Sequence, residues 1–421
     1  MKPKMNQQQQ HAFAYIMDEV DDGMYVVNSP AGTGKTFLAE ALRDASYYPV
    51  EILAPTNKAC QLYSPVAKTI CSFFRGQKDV DEDGNEFWEY TPNTQCKDQM
   101  IIVDECSMVD DRMFELFEQL SRNNIILFLG DYRQLPPIQK RDQSDQTVNS
   151  KTFDCQKVCD LTENMRARDS ITRYLIEEIG ACVDTLEPPR KTLLTKPVEE
   201  YFECFERNPD ADAVLLAYTN VKVNYYNNAV RRRLYCDNEP NAIPLVIYDN
   251  ETIILKEPRN SYATNESVCI RDTKAITETI PFYKCSHRKR GRKCDCPLPN
   301  KRQDGLEINF IRGTCDRGFE WRFPKEEADK KKVFQLIYHF RDYCKKMRNK
   351  SLWKEFYAFK ASLLPEYCYR YAMTIHRAQG SGWMDVYVDL DNILFVKDIE
   401  LRYRLLYTAA SRTRQNLTFI R

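Results

Sequence analysis

Residues 28–37 read N-S-P-A-G-T-G-K-T-F. The apolar run Met24 to Val27 precedes them, and a helical pattern of Phe37, Leu38, Ala41 and Leu42 follows. A strand that breaks into a glycine-rich turn and restarts as a helix aims backbone N–H groups and a helix N-terminus into one hollow. Such a hollow suits a polyphosphate such as that of ATP. Gly32, Thr33 and Gly34 would form the cradle, Lys35 would reach the β- and γ-phosphates, and the Thr36 hydroxyl would hold Mg²⁺. The pattern asks for glycine first, where Ser29 stands, but Gly34-Lys35-Thr36 is intact. Without its strand and helix the stretch would be an ordinary glycine-rich turn.

A second chemical group follows the apolar stretch Met100 to Val103, which ends in Asp104-Glu105. At the C-terminal end of a strand downstream of a phosphate loop, Asp104 would hold the metal through water and Glu105 would polarise the attacking water. The same dipeptide elsewhere merely caps a helix. A third apolar run, Ile125 to Leu129, leads into G-D-Y-R-Q-L-P-P, where Gln134 could sense a γ-phosphate. Cys285, His287, Cys294 and Cys296 form a C-x-H and a C-x-C that could hold a tetrahedral Zn²⁺. Their arms are tighter than the usual C-x₂-C. The alternative is a basic surface loop, since Arg288, Lys289, Arg290, Arg292 and Lys293 lie between them.

Positioning these groups takes a repeated strand, turn and helix. The repeat recurs at Val50 to Ala54 with A-P-T-N-K-A, which implies a parallel sheet with crossover helices. Gln9 to Val20 reads as a helix with Phe13, Ile16, Met17 and Val20 on one face. Gln77 to Val80 and Glu86 to Tyr90, joined through Asp83-Gly84, read as a polar hairpin carrying Phe87 and Trp88. Lys330 to Phe359 reads as one helix, with Phe334, Ile337, Tyr338, Arg341 and Cys344 along a face. The 421 residues suggest two to four domains. The polar N-terminus and the lack of a long apolar run argue against a signal peptide or a membrane span, so a soluble intracellular protein is expected. The 16 cysteines are then mostly reduced, small hydrophobes. Net charge is zero but divided: residues 1–165 carry 16 Lys+Arg against 26 Asp+Glu, leaving the rest with the balancing positive excess. An anionic partner would touch mainly the second part, unless the charge is simply solvated surface.

Taken in order, S-P-A-G-T-G-K-T, A-P-T-N-K-A, I-I-V-D-E-C-S-M, G-D-Y-R-Q-L-P-P, A-Y-T-N (217–220), T-I-H-R-A-Q-G (374–380) and L-L-Y-T-A-A-S-R-T-R (405–414) resemble the motifs of superfamily 1 helicases. The subgroup with RecD, the Pif helicases and the phage Dda helicases is the most similar, over nearly the whole chain and least between about 253 and 350. The resemblance implies an α/β fold of two RecA-like motor domains. The first would take 1–72 and 93–168, with a wedge hairpin at 73–92; the second would take 169–245 and 368–421, with an inserted SH3-like β-barrel and extension at 246–367.

The implied activity is ATP-dependent, 5′-to-3′ DNA unwinding. Gln9 would read adenine, Arg166 and Arg412 would reach the γ-phosphate, and Gln379 and Gly380 would couple nucleotide to DNA. Thr56, Asn57, Asn220, Thr374 and His376 would contact the single strand. Cys71 stands where relatives commonly have histidine. Phe87, with Trp88 beside it, would be the pin that splits the duplex. Tyr218 and Arg231 to Arg233, on or beside the helix after Ala213 to Ala217, could grip the strand, or the arginines could form a solvated basic helix. The implied partners are single-stranded and forked DNA and a single-strand-binding protein or replication machinery, with the chain a monomer. A viral or phage origin would put it in the nucleus or cytoplasm of an infected host, in replication or repair; otherwise cytoplasm or nucleoid is expected. The alternative is an ATP-driven nucleoprotein remodeller or strand-annealing translocase without processive unwinding.

Overall fold

The computed structural model describes residues 4–93, 95–137, 149–163, 165, 170–190, 193–237, 244–283, 288–289, 292–293 and 302–421. Cys285, His287, Cys294, Cys296 and Arg166 lie outside these. The chain divides into two compact units, one of 1–76, 90–230 and 371–421, the other of 77–89 and 231–370.

The first unit holds two parallel sheets. One has six strands in the order Lys68–Thr69, Val50–Ala54, Gln99–Val103, Asn124–Gly130, Gly23–Asn28, Gln156–Asp160. Alternate residues of its central strands enter opposite cores. Val27, Ile52, Ile102 and Leu127 pack with Ala12, Ile16, Leu38 and Leu42 on one side, while Val26, Leu53, Val103 and Phe128 pack with Phe74 and Phe117 on the other. Both faces are therefore covered, and the strands read as continuous apolar runs. The first helix, Gln7–Asp18, begins two residues before its expected start because Asn6 and Gln9 form a reciprocal capping box. The second sheet has five strands in the order Ala372–Thr374, Ala213–Ala217, Trp383–Asp389, Thr413–Ile420, Thr195–Lys196, also parallel.

The second unit contains an antiparallel five-stranded sheet built on the long pair Ser267–Tyr283 and Arg302–Cys315. The described pairings do not close it into a barrel. The expected single helix after it is two, Glu327–Met347 and Lys350–Leu363. Arg348 breaks it in a left-handed conformation (φ 47°), and Asn349 caps the second helix. The expected apolar face is also displaced: Val333, Leu336, Ile337 and Cys344 are buried, whereas Phe334 and Tyr338 are exposed.

The hairpin Gln77–Val80/Glu86–Glu89 belongs to this unit. Its turn is held by Asp81, whose carboxylate accepts from the backbone N–H groups of Asp83 and Asn85. Gly84 is required twice, by its φ of 86° and because a Cβ there would lie 2.3 Å from the Trp353 ring. Trp353 Nε1 donates to Glu82 O and the Tyr357 hydroxyl to Gly84 O, while Lys350 pairs with Asp79. Trp353 is thus spent on packing beneath the hairpin. Among the described residues no helix is long and apolar enough to cross a membrane.

Candidate nucleotide site and nucleic-acid interface

The phosphate loop is closed by its own side chains. Ser29 is buried, its N–H donates to Gly130 O at 2.6 Å, and its hydroxyl lies 2.5 Å from Thr33 Oγ1. Thr33 gives its proton to Pro30 O at 2.8 Å, so Ser29 is the donor between the two hydroxyls. The serine in the glycine position therefore ties the two sides of the loop together. Gly32 and Gly34 both have φ of 88°, a region open to glycine at little cost. Lys35 begins the following helix and donates from Nζ to Ser29 O at 2.7 Å, which holds the ammonium over the loop. Gln9 is buried against the loop: its Nε2 donates to Thr33 O, and its Oε1 accepts from Asn6 N. Each amide end keeps one further hydrogen-bonding position for a ligand.

Asp104 follows the strand Gln99–Val103 and is buried. Its Oδ1 accepts from Glu105 N at 2.8 Å and its Oδ2 from the Tyr63 hydroxyl at 2.7 Å. Burial, then the Glu105 charge, pushes its pKa up, opposed by Lys35. A bound cation would act in the same sense as Lys35. Glu105 sits in the left-handed region (φ 52°), a conformation that costs a non-glycine residue on the order of 1–3 kcal/mol. Glu105 Oε2 and both amide atoms of Gln134 are buried with no hydrogen-bond partner. Each such atom costs about 1–3 kcal/mol when left unmade. Orphaned acceptors and donors beside a lysine-bearing phosphate loop fit a site built for a triphosphate, its water and Mg²⁺. Thr36 and Asp104 bring a hydroxyl and a carboxylate, the hard oxygen donors that such a metal would take.

The second sheet supplies the other wall. Within its helix Ile399–Ala410, Arg404 is buried and donates to the carbonyls of Tyr132 and Gln134. Thr408 Oγ1 accepts from Leu135 N, Gln379 Nε2 donates to Leu135 O, and the Tyr407 hydroxyl donates to Asp131. Arg412 is held by Thr408 O and the Ser411 hydroxyl. A cavity of about 1050 Å³ is lined by Glu105, Lys58 and Gln61 from the first sheet's side and by Gly380, Arg412 and Arg414 from the second's. Two residues far apart in sequence, Glu105 and Arg412, thus face one space.

The residues expected on the single strand are only partly gathered. Gly380 (φ 70°) approaches the Thr56 hydroxyl so closely that a Cβ would lie 3.3 Å from it. Thr56 and Thr374 both start short helices, Thr56 as a side-chain cap, with Asn57 and His376 in the first turns. His376 lies 6.0 Å from the Tyr218 ring, and burial lowers its pKa, which favours neutral imidazole. Asn220 is exposed at the start of its helix. Trp88 is 41% exposed and Phe87 half-buried, and as successive strand residues they point to opposite faces of the hairpin. One expectation is corrected. Arg231 is buried, paired with Glu251 at 2.5 Å and set 3.9 Å from the Tyr369 ring centroid, so it is spent inside the second unit and is no phosphate grip. Sequence reasoning missed Tyr63 and Arg404, which lie outside the quoted motifs, and Thr408, which lies within the last of them but drew no role from it.

Residues 4–181 match the model of an AAA domain, and residues 369–420 that of a UvrD-like helicase C-terminal domain. The chain is 22% identical to the ATP-dependent DNA helicase dda of Enterobacteria phage T4, over 98% of each chain. It is 21% identical to an uncharacterized protein of Acanthamoeba polyphaga mimivirus, over 93% of this chain and 94% of that one. Among solved structures, Pif1 helicase from Bacteroides in complex with ADP-AlF3 and ssDNA is similar at a TM-score of 0.52 and 14% identity, over 99% of this chain and 92% of that one.

Proposed function

We propose that the chain is a superfamily 1 helicase of the Pif/Dda type, which couples ATP hydrolysis to 5′-to-3′ movement on single-stranded DNA and to separation of a forked duplex. The observation that carries the reading is the cavity shared by Glu105 and Arg412, which come from opposite sheets. Hydrolysis needs a base-like group at the water and ample positive charge around the γ-phosphate; the first sheet brings Glu105 and Lys35, and the second adds Arg412.

In this reading Lys35 binds the β- and γ-phosphates, Glu105 polarises the attacking water, and the Gln134 amide orients that water or a γ-oxygen. Arg412 and Arg166 neutralise charge in the transition state. Gln9 recognises adenine, and Gln379 and Gly380 link the nucleotide to the strand held by Thr56, Asn57, Asn220, Thr374 and His376. Mg²⁺, held by Thr36 and through water by Asp104, would neutralise phosphate charge. The 1–72/93–168, 73–92, 169–245/368–421 and 246–367 division is retained as the proposed domain plan. Within it the antiparallel sheet takes the place expected for an SH3-like barrel, and Phe87 or Trp88 is the pin. Stacking of an aromatic on the last base pair offsets lost base stacking by about 1–3 kcal/mol.

Forked duplexes with a 5′ or a 3′ tail, each with and without ATP, test the reading. Strand separation is expected with the 5′ tail and ATP only. Separation from the 3′ tail would overturn the polarity. Displacement of a bound protein without strand separation would favour a remodeller. A Phe87→Ala/Trp88→Ala variant should keep its ATPase and lose unwinding; persistent unwinding would remove the pin assignment.

A further inference from the structure

Tyr63 lies outside every motif considered above, in the short 3₁₀ turn Gln61–Tyr63, and its ring is buried in the first core at 2% exposure. Its hydroxyl donates to Asp104 Oδ2 at 2.7 Å. The phenol thus holds one of the two side chains proposed to supply metal-binding oxygens. The Asp104 carboxylate, held by Glu105 N on one oxygen and Tyr63 on the other, has its plane fixed.

We propose that Tyr63 is a positioning residue for the metal, orienting the Asp104 carboxylate through the hydrogen bond from its hydroxyl. The proposal rests on the nucleotide reading of the same site. Partners that orient metal ligands from behind change metal affinity by about 10–100-fold when removed, and a metal held partly through water belongs at the lower end.

The test is Mg²⁺ titration of fluorescent N-methylanthraniloyl-ADP binding to the full chain and to Tyr63→Phe, which keeps the ring and loses only the hydroxyl. Expected are a Mg²⁺ midpoint about tenfold higher in the variant and unchanged nucleotide affinity in EDTA. Equal midpoints would overturn the proposal. Should Tyr63→Phe fold poorly, 3-fluorotyrosine at position 63 keeps the hydroxyl and reports directly. Its ¹⁹F resonance should move when Mg²⁺ is added to the ADP complex, and an unmoved resonance would overturn the proposal. If the unaltered chain binds no nucleotide in any condition, the nucleotide reading falls and takes the positioning role of Tyr63 with it.

Discussion

At the candidate site the two parallel sheets differ in how their buried polar atoms are satisfied. On the first sheet, Glu105 Oε2 and the Gln134 amide are buried without partners. On the second, Gln379, Arg404, Tyr407, Thr408 and Arg412 are buried and hydrogen-bonded, four of them to the loop 131–135 of the first sheet. Unmade hydrogen bonds are a standing cost that a ligand can relieve; made ones fix geometry. In the proposed reading the first sheet therefore holds the chemistry, and the second holds the chemical loop in register while Arg412 and Arg414 line the shared cavity.

That contrast can be broken in graded ways. Arg412→Ala should produce the largest effect, a fall of about 10³-fold or more in DNA-stimulated ATP hydrolysis, the scale of losing an arginine from phosphoryl transfer. Single-strand binding by fluorescence anisotropy should survive; hydrolysis within tenfold of the parent would refute the role. Gln134→Met should lower hydrolysis by about 10²-fold. It should leave the urea midpoint unchanged or raised, because it deletes two buried polar atoms that have no partner in the free protein. A marked loss of stability would mean that the amide is satisfied within the fold, and the contrast would collapse. Thr408→Val should show the reverse signature. Leaving Leu135 N without its acceptor should cost about 1–3 kcal/mol in urea unfolding, with only about a tenfold fall in hydrolysis. Unaltered stability would show that Thr408 does not hold the loop.

Much of the nucleotide half of the site was legible because its chemistry is local. Gly32, Gly34, Lys35 and Thr36 are contiguous, and a strand–turn–helix crossing fixes where they point. Asp104-Glu105 follows an apolar run whose burial on both sheet faces could be read from its composition. The hairpin was legible for the same reason, since Asp81 and Gly84 encode its turn. The face of the helices after Glu327 was misread because the break at Arg348 depends on a left-handed residue that no glycine announces.

By itself the sequence determined the order of the motifs, the phosphate loop, the acidic strand end and the alternation of strand with helix, all set by interactions within a few residues. Tertiary structure alone decided the rest. It buried Arg231 against Glu251 where the sequence left a basic helix open to either use. It put the Tyr63 hydroxyl on Asp104, and it gave Arg412 a common space with Glu105. These are contacts across 20 to 300 residues of chain, made by whichever side chain fits the remaining volume and satisfies the remaining hydrogen bond. No local periodicity records that choice.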